Sequence, residues 1–172
     1  MREVEIKVLN IDKDAMIEKL ASLGADKILD SDIESIYYDF NRPRNVSLLR
    51  IRTDEAHTFV TIKEDRGHDT YKVKEETEFD IEDRASFERT LILLGCRKVA
   101  QHKRHRTSFR LKGFRVEIED IPGIPPFAEI ECQREEDMPD ALALLGISAE
   151  QTSTDNAISL MRKHGLEFFN VR

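Results

Sequence analysis

The sequence predicts an α+β fold in which an antiparallel sheet closes into a barrel and helices pack against its outside. The first observation is the alternation of apolar and charged residues, with a period of two, in several short segments. This alternation is typical of strands with one buried face. The second observation is four segments with apolar residues at helical spacing, which need an apolar surface to cover. Because about eight or nine strands suffice to close a barrel, the charged strand faces are expected to line its interior.

The strands follow from the alternation. In the first of them, Val4, Ile6 and Val8 lie on one face, and the charged residues between them lie on the other. The same pattern returns along the chain, separated by turn residues such as Lys112–Gly113. The predicted strands are Arg2–Leu9, Ile33–Phe40, Val46–Thr53, His57–Glu64, Thr70–Asp80, Lys98–Leu111, Phe114–Asp120 and Phe127–Gln133.

Four helices are predicted as well. For the first, Asp12 is a candidate N-cap and Gly24 a stop signal, with Leu20 and Leu23 on the apolar stripe. The predicted helices are Asp12–Leu23, Arg84–Leu94, Asp137–Leu145 and Thr154–His164. Turns or loops are expected at Asn41–Asn45, Arg66–Asp69 and Pro122–Pro126.

Length and composition limit the classes to which the protein can belong. With 172 residues, the chain is expected to form one domain over residues 1–166, followed by a tail over 167–172. The formal net charge of −7 argues against a nucleic-acid-binding protein. The longest aliphatic run, Leu91–Leu94, is too short to cross a membrane, and the charged N-terminus has no signal segment, so a cytoplasmic protein is expected. Cys96 and Cys132 do not have the spacing of a zinc ribbon, and the sequence has no glycine-rich phosphate loop.

Charges of the same sign lie next to each other on the predicted strands. The like-charged pairs are Glu3/Glu5, Glu76/Glu78, Glu117/Glu119, Glu129/Glu131, Arg50/Arg52 and Arg104/Arg106. A solvated outer face is the simplest explanation for any one strand, but a surface chosen for solubility would mix the two signs. Carboxylate pairs suit a hard divalent ion such as Mg²⁺ or Mn²⁺, and arginines and lysines suit phosphate oxygens. The pattern therefore favours a polyphosphate bound together with its metal ions inside the barrel.

Seven of these segments resemble, in order, the motifs of a known family. They are similar to the CYTH superfamily, the triphosphate tunnel metalloenzymes, over residues 1 to about 135. The matching segments are Glu3–Lys7 (E-x-E-x-K), Leu49–Arg52 (L-R-x-R), Thr61–Lys63 (T-x-K), Glu76–Glu78 (E-x-E), Arg104–Arg106 (for the family's K-x-R), Arg115 and Phe127–Glu131 (F-x-E-x-E). A single E-x-E-x-K is a weak signal, but seven motifs in the family's order are a specific one.

The resemblance implies an eight-stranded antiparallel barrel that encloses a tunnel, and metal-dependent attack on a triphosphate inside it. It implies metal ligands at Glu3, Glu5, Glu129 and Glu131, with Glu119 as a further ligand that stands where the family commonly has Asp. It implies phosphate-binding residues at Lys7, Arg50, Arg52, Lys63, Arg104, Arg106 and Arg115. Of these, the expected catalytic residues are Lys7, Lys63 and Arg106, and the acids expected to support the tunnel are Glu76, Glu78 and Glu117.

Three functions stay open at this point. The first is hydrolysis of inorganic triphosphate, thiamine triphosphate or a nucleoside triphosphate, and the second is conversion of ATP to cyclic AMP and pyrophosphate, as in class IV adenylate cyclases. We favour hydrolysis because water needs no nucleobase pocket. The third is binding of polyphosphate or nucleotide without catalysis. Two departures from the family keep it open: Glu119 in place of Asp, and Asn156–Ala157 in place of Ser-Tyr. A small barrel of this kind can also form a homodimer.

His102 and His105 invite a metal-binding interpretation. Their spacing of three residues on a predicted strand places them on opposite faces. We therefore do not expect the two histidines to share a metal ion.

Overall fold

The strands form a closed ring. The structure is a computed structural model that describes residues 2–41, 45–68, 72–155 and 157–165. Its strands are β1 (Arg2–Val8), β2 (Asp26–Asp39), β3 (Val46–Thr53), β4 (Thr58–His68), β5 (Lys72–Asp80), β6 (Arg97–Leu111), β7 (Phe114–Asp120), β8 (Phe127–Cys132) and β9 (Thr152–Ser153). The order around the ring is β5-β4-β3-β2-β6-β7-β8-β1, and β1 pairs again with β5, with Val4 opposite Val73. The prediction of eight antiparallel strands closed on themselves is confirmed, and the short β9 pairs with the last residues of β1.

Four α-helices accompany the strands. They are α1 (Lys13–Ser22), α2 (Arg84–Leu93), α3 (Met138–Leu145) and α4 (Ala157–Lys163), with short 3₁₀ helices at Glu135–Asp137 and Ala149–Gln151. At the start of α1, the Asp12 carboxylate accepts a hydrogen bond from the Ala15 amide (3.0 Å), as an N-cap does. After α1, Gly24 adopts a φ of +75°, which favours glycine. Within the described part of the chain, no helix is long and apolar enough to cross a membrane.

Two strands are longer than predicted. β2 begins at Asp26 instead of Ile33, because it pairs with β6 along its whole length. A register shift at Lys27–Leu29 interrupts this pairing, and the segment has no apolar alternation that would mark it as a strand. β4 continues to His68 instead of ending at Glu64, so most of the predicted loop at residues 66–69 is strand.

The last helix begins later than predicted. α4 starts at Ala157 instead of Thr154, and the unpredicted β9 precedes it. The Asp155 amide donates to Ser153 Oγ (3.1 Å), a local hydrogen bond that competes with helix formation. Parts of the predicted turns (residues 42–44 and 69), Asn156 and the predicted tail over 167–172 lie outside the described residues.

The outward faces of the strands are apolar and are covered by helices. One cluster joins β1, β7 and β8 to α1 and α3, and Leu20 of α1 and Val4 of β1 are completely buried in it. A second cluster joins β2, β3 and β4 to α2 through residues such as Ile51, Val60 and Leu91. The charged faces of the strands therefore turn inward, as predicted.

A third apolar cluster closes one side of the ring's interior. The inward-facing row of β1 continues to Leu9, that of β7 continues to Ile121, and that of β8 begins at Phe127. Leu160 and Met161 of α4 pack against these residues. That residues 1–166 form one domain stays a prediction, which this contact of α4 supports.

We predict that Leu20→Ala lowers the free energy of unfolding by about 2–5 kcal/mol, because it leaves a cavity between α1 and the ring. The matched control is Leu93→Ala on α2, where 76% of the leucine's surface is exposed. The control should change the free energy of unfolding by less than about 0.5 kcal/mol. Urea unfolding followed by circular dichroism measures both variants, and equal effects would contradict the packing of α1 against the strands.

Candidate functional site

The inward-facing side chains line a charged cavity of about 310 Å³. Its lining residues are Glu3, Arg50, Arg52, Lys63, Glu76, Glu78, Arg106, Arg115, Glu117, Glu129 and Glu131. Every one of them was predicted from sequence as a site residue. The other predicted site residues, Glu5, Lys7, Arg104 and Glu119, are buried beside the cavity and contact its lining or one another.

Arg50 of β3 is a buried cation without an acidic partner. Only 8% of its surface is exposed, and its Nη2 donates one long hydrogen bond to Thr61 Oγ1 (3.3 Å). Among the described residues, no carboxylate oxygen lies within ion-pair distance of Arg50, and its Nε has no hydrogen-bond partner. Burial opposes the charged guanidinium, but the fields of Tyr37, Glu76 and Glu78 outweigh burial and raise the pKa of Arg50. What the described residues leave open is therefore an acceptor for Nε, which an anion could supply.

Arg52 lies two residues further along β3 and shares the same positive field. Its Nη2 donates to both carboxylate oxygens of Glu78, at 3.0 and 3.1 Å. Burial, together with repulsion from Arg50 and Arg106, nevertheless lowers the pKa of Arg52 to about 10. Positive charge therefore exceeds negative charge at this part of the cavity wall.

The two arginines of β6 differ from those of β3, because carboxylates hold them. Arg106 contacts Glu117 and Glu119 and lies 3.5 Å from Glu129. These acids raise the pKa of Arg106 even though burial opposes the shift. Arg104 Nε lies 2.8 Å from Glu119 Oε2, so both arginines hold Glu119 in place.

The two lysines of the site lie among carboxylates. Lys7 Nζ is 2.6 Å from Glu129 Oε1, and Lys63 Nζ is 3.0 Å from Glu3 Oε2 and 2.6 Å from Glu76 Oε2. Burial favours the neutral lysine, but these acids outweigh it and raise the pKa of both lysines. Both lysines are therefore protonated at neutral pH.

Two groups of three carboxylates lie close enough to share a cation. In each group, one oxygen of every residue lies within 4.8 Å of the others. The groups are Glu3, Glu5 and Glu131, and Glu117, Glu129 and Glu131. Glu131 belongs to both, and burial together with the carboxylates of Glu117 and Glu3 raises its pKa well above the usual range. Negative charge therefore exceeds positive charge at Glu131, the reverse of the situation at Arg52 on β3.

Two predicted ligands occupy unexpected places. Glu119 belongs to neither carboxylate group, because Arg104 and Arg106 hold it. Glu117, which was predicted only as a supporting acid, lies in one of the groups instead. Arg115 has 46% of its side chain exposed and lies 3.7 Å from the nearest carboxylate oxygens, so it stands at the rim of the cavity. Metal binding by Glu119 stays a prediction.

Several uncharged residues that face the interior were not predicted. Ser35 Oγ accepts a hydrogen bond from Arg104 Nη1 (3.1 Å), and His102 stacks on Tyr37 with ring centroids 5.4 Å apart. Thr61 and His102 each precede a predicted site residue by two positions on the same strand. Strand alternation alone could therefore have placed them in the interior.

The sequence has recognisable relatives. A family model described as the CYTH domain matches residues 1–154. A protein of Methanocaldococcus jannaschii named as a candidate adenylate cyclase is 32% identical over 134 residues, which cover 76% of this chain and 77% of that protein.

Solved structures show the same fold. A conserved hypothetical protein of Pyrococcus furiosus matches with a TM-score of 0.80 and 25% identity, over 92% of this chain and 99% of that one. A candidate adenylyl cyclase from Hippeastrum, described as having a dominant triphosphatase activity, matches with a TM-score of 0.62 and 15% identity, over 94% of this chain and 95% of that one. With a family model that matches most of its length, the chain belongs to the CYTH family.

Proposed function

We propose that the protein hydrolyses a triphosphate-containing substrate with the help of a divalent metal ion. The observation that carries this proposal is the unequal distribution of charge within one cavity. Arg50 has no carboxylate partner in the part of the chain that the structure describes, whereas Glu131 stands among other carboxylates. A triphosphate with its metal ion has the complementary pattern, because its oxygens suit arginine and its cation suits glutamate.

Glu131 would be the central metal ligand, with Glu3 and Glu5 on one side and Glu117 and Glu129 on the other. Carboxylate oxygens are the ligands that Mg²⁺ and Mn²⁺ prefer. The raised pKa of Glu131 supports this assignment, because a cation would remove the repulsion that causes it. When bound, the ion would polarise a phosphoryl oxygen as a Lewis acid.

The arginines would hold the phosphate oxygens. Arg50 is available for this role because no carboxylate in the described ranges forms an ion pair with it, and Arg52 adds a second guanidinium on the same strand. Arg106 is oriented towards the interior by its acidic partners, and Arg104 lies beside it on β6. Arg115 would contact the substrate from the rim. A planar guanidinium can bind two phosphate oxygens at once, which fixes the orientation of the chain of phosphates.

Lys7 and Lys63 would stabilise the negative charge that develops on the phosphate oxygens during attack. The carboxylates around them keep both ammonium groups protonated at neutral pH. A protonated lysine donates hydrogen bonds and cannot take a proton from the attacking water. The contribution of both lysines to the reaction is therefore electrostatic.

The lining of the cavity favours hydrolysis over cyclisation. All of its lining residues are charged, so none of the described residues that line it offers an aromatic or aliphatic surface for adenine. Water needs no such surface. The Hippeastrum protein indicates that this fold can carry triphosphatase activity. The name of the M. jannaschii relative makes adenylate cyclase the second candidate.

The proposal predicts the products of a direct assay. Purified protein is incubated with inorganic triphosphate, thiamine triphosphate or ATP, each with Mg²⁺, Mn²⁺ or EDTA. We expect release of orthophosphate in the presence of either metal and none in EDTA, because the carboxylate groups then lack a cation. Cyclic AMP and pyrophosphate would support the cyclase instead, and tight binding without any product would support a binding module.

Variants of Arg50 and Arg106 distinguish a loss of substrate binding from a loss of stability. Arg50→Gln should raise KM for triphosphate about tenfold or more, with little loss in Tm, because no carboxylate among the described residues loses an ion pair. Arg106→Gln should instead destabilise the fold by about 3–5 kcal/mol, because buried Glu117 and Glu119 both lose their ion pair with Arg106 and Glu119 keeps only Arg104. Arg89→Gln on the exposed face of α2 is the control and should change neither quantity. Unchanged KM in Arg50→Gln would remove Arg50 from the site.

Glu131→Gln should stabilise the metal-free protein. The folded state raises the pKa of Glu131 above the usual 4.5, so folding disfavours the ionised carboxylate. The carboxylate therefore destabilises the fold at neutral pH, and this effect is absent below pH 4.5, where the carboxyl group is protonated in both the folded and the unfolded state. In EDTA at pH 7.5, we expect Tm to rise by roughly 2–4 °C, the response of a protein of this size to about 1 kcal/mol. The rise should disappear in acid.

In Mg²⁺ the same variant should lose both turnover and the metal-induced rise in Tm. Glu82→Gln, at an exposed position before α2, is the control and should behave like the wild type. Full activity of Glu131→Gln would refute the assignment of Glu131 as a metal ligand.

A further inference from the structure

Three buried N–H groups on the cationic side of the interior have no hydrogen-bond partner among the described residues. They are Arg50 Nε, His102 Nδ1 and Arg104 Nη2. Tyr37 of β2 connects them, because it lies opposite Arg50 on β3 and stacks on His102 of β6. Folded proteins leave few buried donors unpaired, since each one has lost its bond to water. The three groups therefore indicate an acceptor that the described residues do not supply.

The contacts of His102 fix which ring nitrogen carries the proton. Arg104 Nη1 lies 3.1 Å from His102 Nε2. Because a guanidinium has only donors, Nε2 must accept, and the proton of the neutral ring is then on Nδ1. Tyr37 holds the plane of the ring, and Ser35 Oγ accepts a second hydrogen bond from Arg104 Nη1. His102 Nδ1 is thus an oriented donor.

We propose that Arg50, His102 and Arg104 form a subsite that binds one phosphate group through N–H donors alone, without a metal ion. The inference rests on the proposed function and deepens it, because it assigns a substrate-binding role to His102. The phosphate group belongs either to the bound triphosphate or to the orthophosphate that hydrolysis releases. A metal would engage the other phosphate groups, at the carboxylates across the cavity.

The neutral state of His102 suits this role. Burial and the charges of Arg104, Arg50 and Arg106 lower the pKa of His102 to about 3, so the ring is uncharged at neutral pH. An uncharged donor adds a hydrogen bond to phosphate without adding to the repulsion among the arginines. A metal ion does not suit this place, because Arg104 occupies the Nε2 lone pair.

The subsite becomes accessible when Arg50 moves. All three N–H groups are buried, and of the three residues only Arg50 is among those that line the cavity. The proposal therefore requires the Arg50 side chain to turn so that a phosphate oxygen reaches the other two donors. This turn breaks one long hydrogen bond, to Thr61, and no ion pair within the described residues. Arg104 is held by Ser35 and Glu119 and is the fixed part of the subsite.

Titration calorimetry with inorganic triphosphate in EDTA tests the subsite, because no metal contributes to binding there. His102→Phe keeps an aromatic ring on Tyr37 but removes both nitrogens, and should weaken binding about tenfold or more. His102→Asn returns an amide N–H close to the position of Nδ1 and should bind within about threefold of the wild type. The matched control is His105→Phe on the same strand; His105 faces outward, between Asp30 and Asp32, as its spacing from His102 predicts. Its affinity should be unchanged.

Three results would overturn the proposal: no binding by the wild type in EDTA, wild-type affinity in His102→Phe, or binding by His102→Asn as weak as that by His102→Phe. A readout that needs no variant is the imidazole nitrogen resonances of His102 in the wild type. The Nδ1–H signal should move when triphosphate is added, and an unmoved signal would count against the subsite.

Further arms of the experiment separate related conclusions. If orthophosphate moves the same signal, the subsite holds the released product; if only triphosphate does, the subsite holds a group of the substrate. Absence of turnover in Mg²⁺, together with the expected affinities in EDTA, would refute the proposed hydrolysis and leave the subsite standing.

Discussion

The structure depends on holding ionised side chains inside a closed ring. Removing an ion from water costs several kcal/mol unless opposite charge and hydrogen bonds replace the water. Neighbouring strands supply that replacement: Lys7 lies against Glu129, and Arg106 Nε donates to Glu119 at 2.8 Å. The apolar clusters on the outside of the ring supply the hydrophobic burial that offsets what remains. Charged side chains can occupy the interior because the hydrophobic core lies outside the ring, between the strands and the helices.

Alternation with a period of two was enough to predict which side chains face the interior, because it is a local property of each strand. It could not predict which charges meet, because that depends on the register between strands. The register places Glu117 opposite Glu129, and Glu5 opposite Glu131, so like charges face each other across neighbouring strands. Such pairs destabilise a sheet unless a cation joins them. The register therefore brings Glu117 into one of the groups of three carboxylates, although it was predicted only as a supporting acid.

The other differences between sequence and structure also come from distant partners. β2 reaches Asp26 because β6 offers a pairing edge along that whole segment, and nothing in the local pattern required it. The apolar cluster that closes one side of the interior could have been predicted from the sequence. Leu9 and Phe127 continue the inward-facing rows of Lys7 and Glu129, and an apolar residue in a charged row indicates that the row ends against packed side chains.

Arg50 and Glu131 identify what the chain leaves incomplete. The Nε of Arg50 has no hydrogen-bond partner among the described residues, and ionised Glu131 lowers the stability of the metal-free protein; proteins retain such unfavourable features mainly at functional sites. A cation at Glu131 would strengthen the attraction of the cavity for an anion at Arg50, and the effect is reciprocal by thermodynamic linkage. A single ligand that carries both charges satisfies both residues in one binding event, so the loss of translational and rotational freedom occurs once. The cavity is therefore more complementary to a metal–triphosphate complex than to either component alone.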